Sequence, residues 1–411
     1  MDPVYNLFVY VLWFLATFYT VFFIVSMIFN KNKLYEKRVS NVDNGYVSVI
    51  VSAFNEEKKI DKTIRSLKKI KYEKIEFIIV NDGSSDRTAD VVRKNIFQDK
   101  RFILIDRKNN IGKAASLNEG ISIAKGVYVA CMDADSMVEP DVFTKALPYF
   151  NGKRVGAVTI SVEVFKPRKF LHKLIDIEYT IGLSLFLKIA SFFNFIFVTP
   201  GPFSIYRMDV LKKIKGFDSE NIVEDLEIAY RIHKAGYRIE NCMEAKVWTI
   251  CPPTFHQIYN QRKRWYSGAL QTCYKHRSLM LKRKYGLFSF TVPFNYLLVL
   301  LGLVLFISSL YLGVSHIITN LFHLQYTSVS LWDRIMNFKI DILSMSTVSF
   351  IGMSAFFLSI LVIVFGMKMS RKKLMKKKTG IVFFPLMFFL YQIFWIGSVI
   401  AVIRGKKVKW R

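Results

Sequence analysis

Acidic residues are scarce in this chain: 31 Asp and Glu stand against 59 Lys and Arg over 411 residues, a formal net charge of +28. In a soluble protein that imbalance points to a polyanionic partner. Here the basic residues crowd around long apolar runs, which directs the expectation to membrane lipids and away from nucleic acid. Cysteine is sparse as well. Cys131, Cys242, Cys251 and Cys273 form no CxxC pair, so neither a disulfide framework nor a zinc site is expected. The six histidines show no i, i+4 pairing, which removes a helical His-based metal site. No G-x-G-x-x-G follows a strand and no G-x-x-x-x-G-K-[ST] loop occurs, which argues against hydride transfer and ATP hydrolysis. Internal repeats and low-complexity segments are missing too.

Long apolar runs are what the chain does have. Leu7 to Phe29 carries no charge and is long enough for a bilayer core of about 30 Å. It is too long for a signal-peptide core and lacks a small-residue cleavage site. Phe288–Gly313, Leu343–Met367 and Ile381–Ile403 bring the expected spans to four. The expected organisation is a first span (1–30), a soluble region ending in interfacial helices (31–286) and a region of about three spans (287–411).

Orientation follows from short basic loops. "KNKLYEKR" and "KMSRKKLMKKK" contrast with Ser315–Ile340, which has only Arg334 and Lys339, and this puts the middle portion in the cytoplasm. The tail "RGKKVKWR" opposes that topology: either the last run, which contains Pro385, does not cross simply, or the rule fails there. A further apolar stretch, Phe170 to Phe195, is interrupted by Asp176, Glu178 and Lys188 and reads as an interfacial or buried segment.

In the soluble region short β-rich runs alternate with amphipathic stretches. "YVSVIVSAF", "IEFIIV", "RFILID" and "GVYVACM" are strand candidates, with helices through Ile60–Leu67, Thr88–Phe97 and Ala114–Ile123 between them. The alternation predicts a mostly parallel α/β sheet, whose ligands bind at the carboxyl ends of the strands. Polar clusters sit at those ends: "NEE", "NDGSSD" and "DAD".

Each cluster has a plain and a functional reading. Asp133 and Asp135 in "CMDADS" either form a turn before the helix near Pro140 or share a hard cation such as Mg²⁺ or Mn²⁺. Asp82-Gly83 makes a turn, with Ser85 or Asp86 capping the next helix, and Asp82 is also placed to accept from a base or ribose. Glu224, Asp225 and Glu227 suit a helix start whatever the function, and one of them can serve as a general base. In "QRKRW", Gln261, Arg264 and Trp265 fall on one helical face, while Arg262 and Lys263 read as ordinary membrane-side charge.

In order, "SAFNEE", "IIVNDGSSD", "NIGKAASLNEG", "MDADS", "GPFSIYR", "VEDLEIAYRIHKAGYRI" and "QRKRW" resemble the motif series of family 2 glycosyltransferases of the processive polysaccharide-synthase type. Hyaluronan, chitin-oligosaccharide and poly-N-acetylglucosamine synthases are the similar members.

The resemblance implies a GT-A fold, Rossmann-like with a mostly parallel sheet, joined to transmembrane helices. It also implies a UDP-sugar donor, UDP-N-acetylglucosamine for preference, and one Mg²⁺ or Mn²⁺. By motif, Glu56, Asp82, Lys113 and Asp133 would contact the sugar nucleotide and Asp135 would hold the metal. Asp225 would be the catalytic base, beside Glu224. Gln261, Arg264 and Trp265 would serve the diphosphate and acceptor. The family's usual T-E-D has Val223 in place of Thr here. The implied enzyme is a multi-pass plasma-membrane protein that extends a β-linked glycan and moves it through its own spans. The alternative is a single transfer to a lipid acceptor, as in the similar ceramide glucosyltransferases.

Overall fold

The computed structural model describes residues 3–38, 45–152, 154–324, 347–372 and 378–404. Its centre is an eight-stranded sheet in the order β3-β2-β1-β4-β7-β6-β8-β5. Strands β1 (Val47–Ala53), β2 (Ile75–Asn81), β3 (Phe102–Asp106) and β4 (Tyr128–Asp133) pair in parallel. Between them lie α2 (Ile60–Lys68), α3 (Thr88–Ile96) and α4 (Lys113–Ile123), following α1 (Pro3–Phe29). Strand alternation sorts the core. Val47, Val49 and Val51 pack with Ile60, Ile64 and Leu67 of α2, whereas Ile50 joins Ala114 and Leu117 of α4 on the other face.

The second half of the sheet mixes directions. After β5 (Ser136–Val138), α5 (Val142–Ala146) and β6 (Val155–Val164) come α6 (Phe170–Glu178), a π-helical stretch (Tyr179–Phe186) and α7 (Leu187–Phe192). Then follow β7 (Ser204–Arg207), α8 (Met208–Lys213), α9 (Glu224–Lys234) and β8 (Arg238–Thr249). Strand β7 runs antiparallel to both β4 and β6, while β6 and β8 are parallel.

The stretch from Phe170 is a buried segment, packed between β6 and membrane-side helices. Each charge that interrupts it has a buried partner. Asp176 Oδ1 accepts from the Val164 amide at 3.1 Å, and Lys188 Nζ donates to the Asn241 carbonyl at 2.9 Å. Glu178 meets Arg262 at 2.7 Å.

Helix α10 (Phe255–Lys275) carries "QRKRW" and leads to α11 (Phe288–Leu324), α12 (Thr347–Met369), α13 (Lys378–Phe383) and α14 (Met387–Ile403). Among the described residues four helical stretches are long and apolar enough to cross a membrane: Pro3–Phe29, Phe288–Thr319, Ser349–Met369 and Thr379–Ile403. The last is interrupted by a 3-10 turn, Phe384–Leu386, at Pro385. Residues 325–346, with Arg334 and Lys339, and most of the basic tail lie outside the described residues. Arg371 lies over the Tyr35 ring at 4.0 Å and Lys372 pairs with Glu163 of β6 at 2.6 Å. The chain following α1 and the chain following α12 therefore meet on the side of the sheet.

One expectation fails here. Arg262 is 2% exposed, not surface charge. Its helix is covered on a second side by α14, where Tyr266 stacks on Trp395 with centroids 4.3 Å apart and planes 6° apart. A guanidinium facing inward needs a counter-charge, and Glu178 at the head of the π-helical stretch supplies it. The Arg262 guanidinium also lies over the Trp265 ring at 4.3 Å.

Gly268, one turn beyond "QRKRW", brings α10 against the residue before Glu224. A Cβ there would lie 2.2 Å from Val223 Cγ2. Alanine ordinarily favours a helix interior by up to about 1 kcal/mol. At this position overpacking against a stiff β-branched side chain should outweigh that gain, at about 1–3 kcal/mol. Gly268→Ala should therefore lower the melting temperature of the detergent-solubilised chain; an unchanged or higher value contradicts the close contact.

Candidate active site

Four sequence candidates converge where β4 ends beside the start of α9. Lys113 Nζ lies 2.6 Å from Asp133 Oδ1 and 2.6 Å from Glu224 Oε1, with its side chain only 11% exposed. Burial disfavours its charge, but Asp133, Glu224 and Asp225 more than offset this and raise its pKa. Asp225 Oδ2 accepts from the Gly201 amide at 3.1 Å, and its backbone carbonyl accepts from both the amide and the hydroxyl of Thr199. Burial first, then the charge of Glu224, pushes the Asp225 carboxyl up to about 6. Lys113, Glu224 and Asp225 line a small cavity together with Pro200, Ser204 and Tyr206.

The local sequence explains this placement. Asn221 Oδ1 accepts from the Val223 amide at 2.9 Å, a turn that sets the start of α9 and puts Glu224 and Asp225 in its first turn. Glu227, the third acid there, is committed elsewhere, to Arg231 at 2.8 Å and His276 at 2.9 Å.

Asp82 acts one step back from the cluster. It is 1% exposed, and its two oxygens accept the Ile111 and Gly112 amides at 2.8 and 2.9 Å. It thus fixes the turn from which Lys113 departs. Gly83 beside it has φ +66° and lies too close to the Asn109–Asn110 backbone for any side chain. Asp86 caps the neighbouring helix, accepting from the Thr88 amide at 2.9 Å.

Asp133 and Asp135 do not share a strand, so strand alternation does not set their directions. Strand β4 ends at Asp133, and the chain turns before β5. Asp133 consequently faces Lys113, while Asp135 Oδ2 faces Lys59 Nζ at 3.3 Å. Lys59 also meets Glu56 at 2.9 Å. Burial, then the Asp133 charge, pushes the Asp135 carboxyl up to about 6. That surplus of negative charge on hard oxygens fits a divalent cation sharing one or two carboxylates with a diphosphate. Among the described residues no three His, Cys, Asp or Glu side chains form a ready-made cage.

Gln261, Arg264 and Trp265 are half-buried on α10. Trp265 packs against the cores on both faces of the sheet. Sequence reasoning missed Lys59, the Gly201 amide and the burial of Arg262. Only Arg262 left a signal: Ile258, Trp265, Tyr266 and Ala269 lie at i−4, i+3, i+4 and i+7 from it, so it stands inside the apolar stripe of its helix.

A mixed, mostly parallel sheet with acids at its carboxyl edge, joined to membrane helices, is a GT-A architecture. Residues 48–215 match the family model for Glycosyl transferase family 2, and this part of the chain is a domain of that family. Over 265 residues the chain is 30% identical to poly-beta-1,6-N-acetyl-D-glucosamine synthase of Staphylococcus aureus (strain COL), covering 64% of this chain and 63% of that protein. The same figures hold for the Staphylococcus epidermidis synthase. The match thus spans less than two thirds of these relatives' length. The fold is also that of a mannosyltransferase from Pyrobaculum calidifontis solved with GDP-Man and Mn²⁺, at TM-score 0.63 and 18% identity over 97% of this chain and 100% of that one.

Replacing Lys113 by Met should leave Asp133 and Glu224 facing each other without a cation. Removing one partner of a buried ion pair costs about 3–5 kcal/mol, so Lys113→Met should melt well below the parent chain. A melting curve that does not move would show that the ammonium is dispensable.

Proposed function

We propose that this chain is a membrane-embedded inverting glycosyltransferase that uses UDP-N-acetylglucosamine to extend a β-linked polysaccharide. The observation that carries the reading is the half-buried Asp225 carboxylate, held by the Gly201 amide beside the Lys113–Asp133–Glu224 cluster. The choice of donor and polymer rests on the name of the staphylococcal relatives.

In the proposed reaction Asp225 takes the proton of the acceptor hydroxyl as that oxygen attacks the anomeric carbon. The bond from that carbon to the UDP oxygen breaks, and the α-linked donor becomes a β-linked product. A single displacement needs one base and no covalent nucleophile. Lys113 and Arg264 supply positive charge toward the leaving diphosphate, and Trp265 offers a plane for an acceptor sugar. Asp135, with Asp133, would hold a divalent cation, which when bound neutralises charge on the diphosphate. Glu56 and the loop fixed by Asp82 lie on the nucleotide side of this arrangement.

The proposed location is the plasma membrane, with the sheet in the cytoplasm. Arg371 and Lys372 follow a span and dock beside the sheet, as the positive-inside rule would have it. Three apolar stretches after the catalytic region favour passage of a growing glycan.

Asp225→Asn should abolish transfer while UDP still binds; robust transfer would remove Asp225 as the base. Because the carboxyl is pushed up to about 6, it is protonated below that pH. The parent's kcat/KM, which reports the free enzyme, should therefore fall as the pH drops through 6. With membranes, UDP-N-acetylglucosamine and Mg²⁺ or Mn²⁺, the product should be a ladder of β-linked oligomers. A product consisting only of single-sugar lipids would mark a lipid transferase instead.

A further inference from the structure

Both acids of the D-A-D turn already face an ammonium group. Lys113 belongs to the buried cluster and is fixed there by two carboxylates at 2.6 Å. Lys59 is different. It stands at the N-terminal boundary of α2, its side chain is 30% exposed, and it spans two acids on separate elements. One is Glu56, three residues earlier on its own loop at 2.9 Å; the other is Asp135, across the cleft at 3.3 Å.

A Mg²⁺ ion bound by a carboxylate oxygen lies roughly 2.0–2.1 Å from it. An ammonium 3.3 Å from the same carboxylate would then face that cation at short range. The two positive charges repel, so they cannot both stay on Asp135. Glu56 gives Lys59 a place to withdraw without losing its own counter-charge. The diphosphate brings the further negative charge that makes the exchange favourable.

We propose that Lys59 is a built-in counter-cation for Asp135, displaced toward Glu56 when the metal arrives with the sugar nucleotide. Lys59 would thereby make metal binding depend on the nucleotide. The proposal rests on reading Asp135 as the metal ligand.

The test is Mn²⁺ binding to the full-length chain in detergent, followed by electron paramagnetic resonance of free Mn²⁺ with and without UDP. The parent should bind Mn²⁺ weakly alone and more tightly with UDP. Lys59→Gln should bind Mn²⁺ alone about tenfold tighter, the scale expected for removing one nearby like charge. Its further gain from UDP should shrink accordingly. Lys59→Arg, which keeps the charge, should behave as the parent.

If Lys59→Gln binds Mn²⁺ alone no tighter than the parent, while Asp135→Asn abolishes binding with UDP, Lys59 is not the competitor and the inference falls alone. If Asp135→Asn binds Mn²⁺ as the parent does, the metal reading of Asp135 falls and takes the inference with it.

Discussion

Asp133 and Glu224 can face each other across one cleft only because the Lys113 ammonium lies between them. The two acids come from opposite halves of the sheet: Asp133 closes the last of the parallel strands, and Glu224 opens the helix before β8. The ion pairs therefore hold the two halves together as well as charging the site. Behind Lys113, Asp82 fixes the turn that starts α4. Beside it, Gly201 reaches Asp225 through its amide. The turn before α4, the end of β4 and the start of α9 are thus positioned against one charge. A bare cluster of three acids would repel, and burial alone already moves Asp225 toward the protonated form.

The parallel half of the fold was legible because its signals are local and agree with one another. β1 and β2 read as strands by continuous apolar content, and the intervening helices by spacing. The four long apolar helices were legible for the same reason, since length and lack of charge suffice. The motif order also placed Lys113, Asp133, Glu224 and Asp225 among the candidates, and these four do come together.

What could not be read was which acid a given base would meet. Lys59 and Asp135 are far apart in sequence, and the pairing of β1 with β4 brings the loops after those strands together. Arg262 looked like membrane-side charge because its neighbours Lys263 and Arg264 are basic too. Its partner Glu178 belongs to a segment that resembled an interrupted span. The charges that made that segment look unfit for a bilayer are the same ones that find partners inside the protein. The identity of that distant partner leaves no local trace.

The pairing of Tyr266 with Trp395 has a consequence for how the protein is made. The chain is synthesised from its amino terminus, so α10 emerges before α11, α12 and α14. Until α14 arrives, one side of α10 is bare, from Tyr259 to Tyr266, although the sheet and the acid cluster can already be folded. The helix that bears Arg264 and Trp265 is thus completed by a membrane segment inserted after two other apolar stretches. Maturation of the site is tied to the insertion of α14, and a nascent chain stalled earlier would carry its acids in place but its "QRKRW" helix half-clothed.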